Sequence, residues 1–223
     1  PKSKGRVRPI AVCNTLRKAV LTSFLRRHSL AHRRQVGEFQ YGVGAPRVCR
    51  ALVLQFRNRL SLRPDDWLLQ VDASNAFGSL RREAIIRAVQ ARLPELAPYV
   101  QWLLEADPVA WLPCDGDDYV ALPVTSGLLQ GAPESPLLFA VTLAEVLAST
   151  MQAVPAASDV GLFAYVDDLT IAAPPEVMPT VWQTLTTALA SVGVRVNPDK
   201  SALWAPGIGP ASSDLPKDLA AMV

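Results

Sequence analysis

Histidine is nearly missing from this chain, with two in 223 residues, and cysteine is scarce, with three. Cys13, Cys49 and Cys114 are odd in number and far apart, with neither CxxC spacing nor a nearby His cluster. That excludes a disulfide scaffold and a zinc site of ordinary spacing, and it suits a reducing compartment. No apolar run reaches the roughly 18 to 20 residues that a membrane span needs, and no signal peptide opens the chain. The expectation is a soluble, intracellular protein, nuclear or cytoplasmic, with no membrane association. Internal repeats are absent, and opening on Pro1 rather than Met the chain reads as a fragment.

Acidic residues are also missing from one region. The first 34 residues hold ten Lys or Arg and no acid, and residues 1–63 hold 15 bases against Glu38 alone. The net charge of +2 therefore divides into +14 for residues 1–63 and, with seven bases facing 19 acids, −12 for the remaining 160. The basic segment is suited to a polyanion and the acidic one to cations. With half its residues hydrophobic, the chain can bury a sizeable core.

The periodicity outlines an α+β chain. The opening PKSKGRVRPIAV reads as a basic turn running into a short strand. Leu16, Ala19, Val20, Ser23, Phe24 and Arg27 recur at helical spacing behind a cap at Asn14 or Thr15. A second helix is expected from about Arg47 to Leu60. WLLQV, Trp67 to Val71, reads as a strand buried on both faces. SLRREAIIRAVQARL reads as a helix up to Pro94, and VAWLPCDGDDYVALPV as a hairpin. Ser135 as N-cap with Pro136 at the first helical position predicts a helix to about Gln152. Another runs from about Glu176 to Val192 and is closed by Gly193. VRV and SALW make two short strands, and residues 205–223 read as a linker.

GLFAYVDDLTI, Gly161 to Ile171, places two aspartates between apolar runs. A tight turn between buried strands accounts for the spacing. A third acid, Asp72, ends the WLLQV strand. If the two strands are neighbours, three carboxylates converge, and such hard oxygen ligands suit Mg²⁺ or Mn²⁺. Two such ions about 3.5 to 4 Å apart can activate a hydroxyl and stabilise a leaving phosphate oxygen.

In order along the chain, PKSKGRVRPI, VDASNAF, SGLLQGAPESPLLF, AYVDD and GVRVNPDKS resemble the fingers motif and motifs A, B, C and D of the reverse transcriptases. The likeness is to enzymes of non-LTR retrotransposons and group II introns, and it runs from Pro1 to about Trp204. Five motifs in family order are a specific signal where one would be weak. The resemblance implies a right-hand polymerase fold: a basic fingers segment at 1–63, a palm at 64–204 with some fingers contribution around 108–132, and a linker or truncated thumb at 205–223. The palm is expected to be an antiparallel sheet with helices packed on one face.

The resemblance also implies roles. Asp72 and Asp167 would be the metal ligands for two Mg²⁺, with the carbonyl of Ala73 and the carboxylate of Asp168 assisting; Mn²⁺ could substitute. Phe77 stands at the steric-gate position, which selects dNTP over rNTP. Lys2 and Arg8 would hold the incoming triphosphate. Gln130 and Gly131 match the motif B core that lines the nucleotide and template site. Lys200 is the candidate general acid for departing pyrophosphate. The implied function is RNA-directed DNA polymerase, a nucleotidyltransferase that adds dNTPs to a nucleic acid primer on an RNA or DNA template. A fingers and palm piece alone would bind primer and template weakly, and nothing identifies a protein partner. The rivals are a decayed or domesticated nucleic-acid-binding copy, against which the retained carboxylates speak, and an RNA-directed RNA polymerase, against which Phe77 speaks. Two positions depart from the family pattern: Gly78 where many relatives have Asn, and Glu134 in a slot that is usually apolar.

Overall fold

The first helix starts where the side chain of Asn14 accepts hydrogen bonds from the backbone N–H of Leu16 and Arg17, at 3.0 and 3.3 Å. This capping satisfies two of the donors that a helix start leaves unpaired. The computed structural model describes residues 10–44, 48–106, 109–114, 118–155 and 157–206, with Leu219 and Met222. Helix α1 spans Thr15–Arg27, α2 Ser29–Gln35 and α3 Val48–Leu62. Residues 1–9 of the opening stretch, expected to run into a short strand, lie outside the described residues, and Ile10 to Val12 are not in a strand; α2 was not anticipated. Nor is the apolar face of α1 the expected one. Leu16 and Val20 are exposed while Leu21 is buried, because the helix meets the rest of the chain through Arg17, Leu21, Phe24 and Leu25.

Strand β1 covers Trp67–Val71 and is pinned at its start by Asp66. That buried acid accepts a 2.7 Å hydrogen bond from Arg59 on α3. The next elements are β2 (Ala73–Ser74), α4 (Ala76–Ser79), α5 (Arg82–Arg92) and α6 (Ala97–Glu105). An exposed hairpin of β3 (Val109–Pro113) and β4 (Tyr119–Pro123) follows. Helix α7, Ser135–Ala153, then leads to β5 (Gly161–Tyr165) and β6 (Asp168–Ala173). The last elements are α8 (Met178–Ser191), β7 (Arg195–Val196) and β8 (Ala202–Trp204).

Four strands form an antiparallel sheet in the order β5, β6, β1, β8. β1 is not buried on both faces as expected: Trp67, Leu69 and Val71 point into the core, whereas Leu68 is half-buried and Gln70 exposed. Alternation of this kind is what an antiparallel sheet with one covered face requires. Leu169 and Ile171 of β6 and Leu162 and Ala164 of β5 join the same buried cluster, with residues of α5, α7 and α8. Edge-to-face packing of Phe56 on Phe163, centroids 5.7 Å apart, sets α3 beside the opposite face.

Helix α7 is buried without a break from Leu137 to Ala144. By length and composition its 19 residues could cross a membrane, contrary to the expectation that no apolar run is long enough, yet 67% of it lies inside the protein. It is the central core helix. Glu134, not Ser135, holds the N-cap position; the Ser135 hydroxyl instead donates to the Leu129 carbonyl at 2.7 Å, tying the preceding loop to the helix.

Candidate active site

At the end of β1 the chain leaves the main sheet, and its next residues pair elsewhere: Ala73 with Val196 and Ser74 with Arg195 in the β2–β7 ladder. Asp72 sits at this junction with both backbone groups fixed. Its N–H donates to Ser201 Oγ at 3.1 Å, and its carbonyl accepts from the Asn197 N–H at 2.8 Å. The Ser201 hydroxyl closes the loop by donating to the Asn197 carbonyl at 2.9 Å. The Asp72 side chain is left half-exposed, with the Lys200 ammonium 3.8 Å from its Oδ2. Sequence reasoning named Asp72 and Lys200 as candidates but not Asn197 and Ser201, which hold the Asp72 backbone. Nothing in the polar NPDKS segment sets Ser201 apart; its burial appears only in the folded chain.

Val71 pairs with Leu169, and Tyr165 with Asp168. Asp72, one residue beyond the first pair, therefore stands at the same end of the sheet as the Val166–Asp167 turn and Asp168. The expectation that the strands are neighbours is met, since β1 and β6 are adjacent at the centre of the sheet. Asp168 is exposed and Asp167 half-buried. Among the described residues, no three His, Cys, Asp or Glu side chains converge into a preformed metal cage. The donor chemistry still fits a hard divalent cation: acid residues crowd one strand end, and Lys200 supplies counter-charge to Asp72 there.

Phe77 on α4 is half-buried and stacks on Phe139 of α7, centroids 4.7 Å apart and planes at 26°. Its carbonyl accepts from the Leu128 N–H at 2.8 Å, so the loop before α7 is sewn onto the segment following Asp72. Further along that loop the Gln130 carbonyl accepts from the Ala11 N–H at 2.7 Å. Gly131 has φ +100°, and a Cβ there would lie 2.5 Å from the Ala11 carbonyl oxygen. Only glycine allows this approach. Lys2 and Arg8 lie outside the described residues.

Glu134 is the departure with a visible consequence. It is buried, and its Oε1 is ion-paired with Arg17 and accepts from the Tyr99 hydroxyl at 3.2 Å. Arg17 Nε also donates to that hydroxyl at 3.0 Å. α1, α6 and the start of α7 thus meet in one polar knot. Burial, then the Glu134 charge, pushes the Tyr99 hydroxyl up to about 12.

A groove of about 610 Å³ runs between α3 and the open face of the sheet, with Leu52, Val53 and Phe56 on one wall and Tyr165, Asp168 and Trp204 opposite. A hydrogen bond to Cys49 on α3, with lesser help from its charge and from burial, raises the pKa of Tyr165.

An antiparallel sheet backed by helices, with acids at one end of its two central strands, defines the palm of a nucleic-acid polymerase. The chain matches the family model for reverse transcriptase (RNA-dependent DNA polymerase) over residues 1–212 and belongs to that family. It is 27% identical over 202 residues to the retrotransposable element SLACS 132 kDa protein of Trypanosoma brucei gambiense, which covers 90% of this chain and 16% of that protein. In structure it is similar to apo telomerase of Candida tropicalis truncated from its C-terminal domain. The TM-score is 0.60 at 15% identity, over 87% of this chain and 40% of the telomerase. Telomerase of Candida albicans, in complex with a fragment of telomeric RNA, gives 0.59 at 12% identity, over 84% of this chain and 34% of that one. These telomerases share the fold; the chain spans well under half of each relative's length.

Proposed function

We propose that the chain is the fingers and palm of an RNA-directed DNA polymerase, residues 1–63 supplying the fingers and 64–204 the palm. It would extend a primer 3′-hydroxyl on an RNA template with dNTPs. The observation that carries this reading is the strand register, Val71 with Leu169 and Tyr165 with Asp168, which gathers Asp72, Asp167 and Asp168 at one end of the palm sheet. Family membership supports reading these acids as the metal ligands of the reaction.

The primer hydroxyl loses its proton to water and attacks the α-phosphate in line; the bond between the primer oxygen and phosphorus forms, and the bond from phosphorus to the pyrophosphate oxygen breaks. Asp72 and Asp167 would hold the divalent ions, with Asp168 and the Ala73 carbonyl beside them. When bound, such ions polarise the phosphate and lower the charge cost of the attacking and leaving oxygens. The protein's own contribution is position: Asp72 is clamped through its N–H and carbonyl, so its carboxylate starts from a fixed backbone. Lys200, half-exposed beside Asp72, would protonate the leaving pyrophosphate. Phe77 lies five residues after Asp72 on a rigid stack with Phe139, which suits a ring that presses on the sugar and excludes a 2′-hydroxyl. Lys2 and Arg8 would neutralise the triphosphate.

Primer extension by the full-length protein and its Asp167→Asn variant tests the reading. The variant should lose extension by several orders of magnitude while still binding template–primer; equal activity in the two sinks the assignment.

A further inference from the structure

Val166, the residue before Asp167, has φ +57°, the left-handed region. A β-branched side chain is poorly suited to that conformation, and glycine is the usual residue where a two-residue hairpin turn needs it. Here the turn is held from outside the hairpin. Gln40, wholly buried, lies 126 residues away in sequence. Its Oε1 accepts from the Val166 N–H at 2.7 Å and from the Gly42 N–H at 2.9 Å, while its Nε2 donates to the Val166 carbonyl at 3.2 Å. Only an amide, in this one orientation, satisfies two donors and an acceptor together. The flanking backbone fixes the amide in turn: the Tyr41 N–H donates to the Ala164 carbonyl at 2.7 Å, and the Ala164 N–H to the Phe39 carbonyl at 2.8 Å. Gly42 completes the fit, because a Cβ there would come within 2.5 Å of Val166 Cγ2 and 2.6 Å of its nitrogen.

From this geometry we infer that Gln40 is a positioning residue for the polymerase reaction: its buried amide locks Val166 in the left-handed conformation and so fixes where Asp167 and Asp168 project. The inference rests on the proposed polymerase function for its consequence and on the Gln40–Val166 contacts for its structure. An amide that clamps both backbone groups of Val166 leaves the turn a single conformation, and a carboxylate displaced by about 1 Å can cost up to roughly a hundredfold in rate.

The test uses the full-length protein. Gln40→Met keeps the side-chain length and removes the amide. It is expected to speed hydrogen exchange at the Val166 amide and to lower kcat for single-nucleotide addition about tenfold, with the dNTP KM within about twofold of wild type. Adding Val166→Gly, for which positive φ is unstrained, should restore most of the lost kcat. An unchanged kcat in Gln40→Met overturns the inference. So does a loss that Val166→Gly leaves in place, since that would mark Gln40 as core packing only. Where Gln40→Met alone does not fold, the double variant decides: folded and active supports the clamp, unfolded overturns it. A wild type that adds no nucleotide sinks the polymerase reading instead, and the clamp is then judged by Val166 exchange, which needs no activity.

Discussion

The Asp72 carboxylate and the Lys200 ammonium lie 3.8 Å apart, both substantially exposed, across the junction where β1 gives way to β2. Such a solvated pair is worth only about 0–1 kcal/mol of stability, so the proposed role of Lys200 as proton donor can be tested apart from folding. Lys200→Met is expected to leave the melting temperature nearly unchanged and to lower kcat roughly a hundredfold. Lys200→Arg restores the charge but supplies a poor proton donor, and it should recover only a minor part. Single-nucleotide incorporation by the three proteins checks this; full recovery by Arg would show that charge alone is needed.

Phe77 stacks on Phe139 at 4.7 Å, so the same ring is part of the core and the candidate gate. Phe77→Ala separates the two roles. Loss of a half-buried, stacked ring should cost about 1–2 kcal/mol of stability. A gate also predicts that discrimination between dNTP and rNTP falls at least about tenfold, through a gain in rNTP use. Competing incorporation of the two substrates measures it, and an unchanged ratio leaves Phe77 as a core aromatic.

The sequence made the palm legible because its strands end in acids at motif spacings and because α5 and α8 space their buried residues three to four positions apart. α5 and α8 fall close to their expected bounds, and β1, β5 and β6 were readable from WLLQV and the runs around AYVDD. What stayed hidden depends on contacts remote in sequence. The one-sided burial of β1 comes from how α3 leaves the opposite face open, and no local pattern reveals it. The true face of α1 is set by Arg17 reaching Glu134 and Tyr99, residues 117 and 82 positions away. Gln40 and Ser201 looked like ordinary polar residues; only the folded chain shows their partners to be Val166 and Asp72.

Glu134 marks a second use of that remote contact. It is 3% exposed, and Arg17 is its ion-pair partner. Arg17→Met strands the buried Glu134 charge and should destabilise by about 2–4 kcal/mol, whereas Glu134→Leu leaves a guanidinium that is 28% exposed and should cost less. The double variant should cost about 1–3 kcal/mol less than their sum, the coupling expected of residues in contact. Urea unfolding of the four proteins measures the cycle, and strict additivity would show that the pair is not coupled. Tyr99 adds a pH signature. Its folded pKa is raised to about 12 from 10.0, so the protonated hydroxyl is favoured in the fold. The stability this gives is present below pH 10 and is lost as pH rises toward 12; Tyr99→Phe should flatten that alkaline limb.

His32 carries the opposite dependence, at the acid side. It is 2% exposed, its Nε2 has no hydrogen-bond partner among the described residues, and its ring sits 5.9 Å from Phe24 and 6.1 Å from His28. Burial lowers its pKa below 6.5 and outweighs the opposing charge of Glu95, while His28 adds a smaller push in the same direction as burial. The unfolded chain therefore takes up the proton first. Stability should hold above pH 6.5, decline as the pH falls below it, and level off once the folded state also protonates. His32→Leu removes the group and should give a shallower loss of melting temperature between pH 7 and pH 5 than the wild type. Parallel curves would mean that His32 protonates equally well in both states, and that its buried Nε2 finds water on demand.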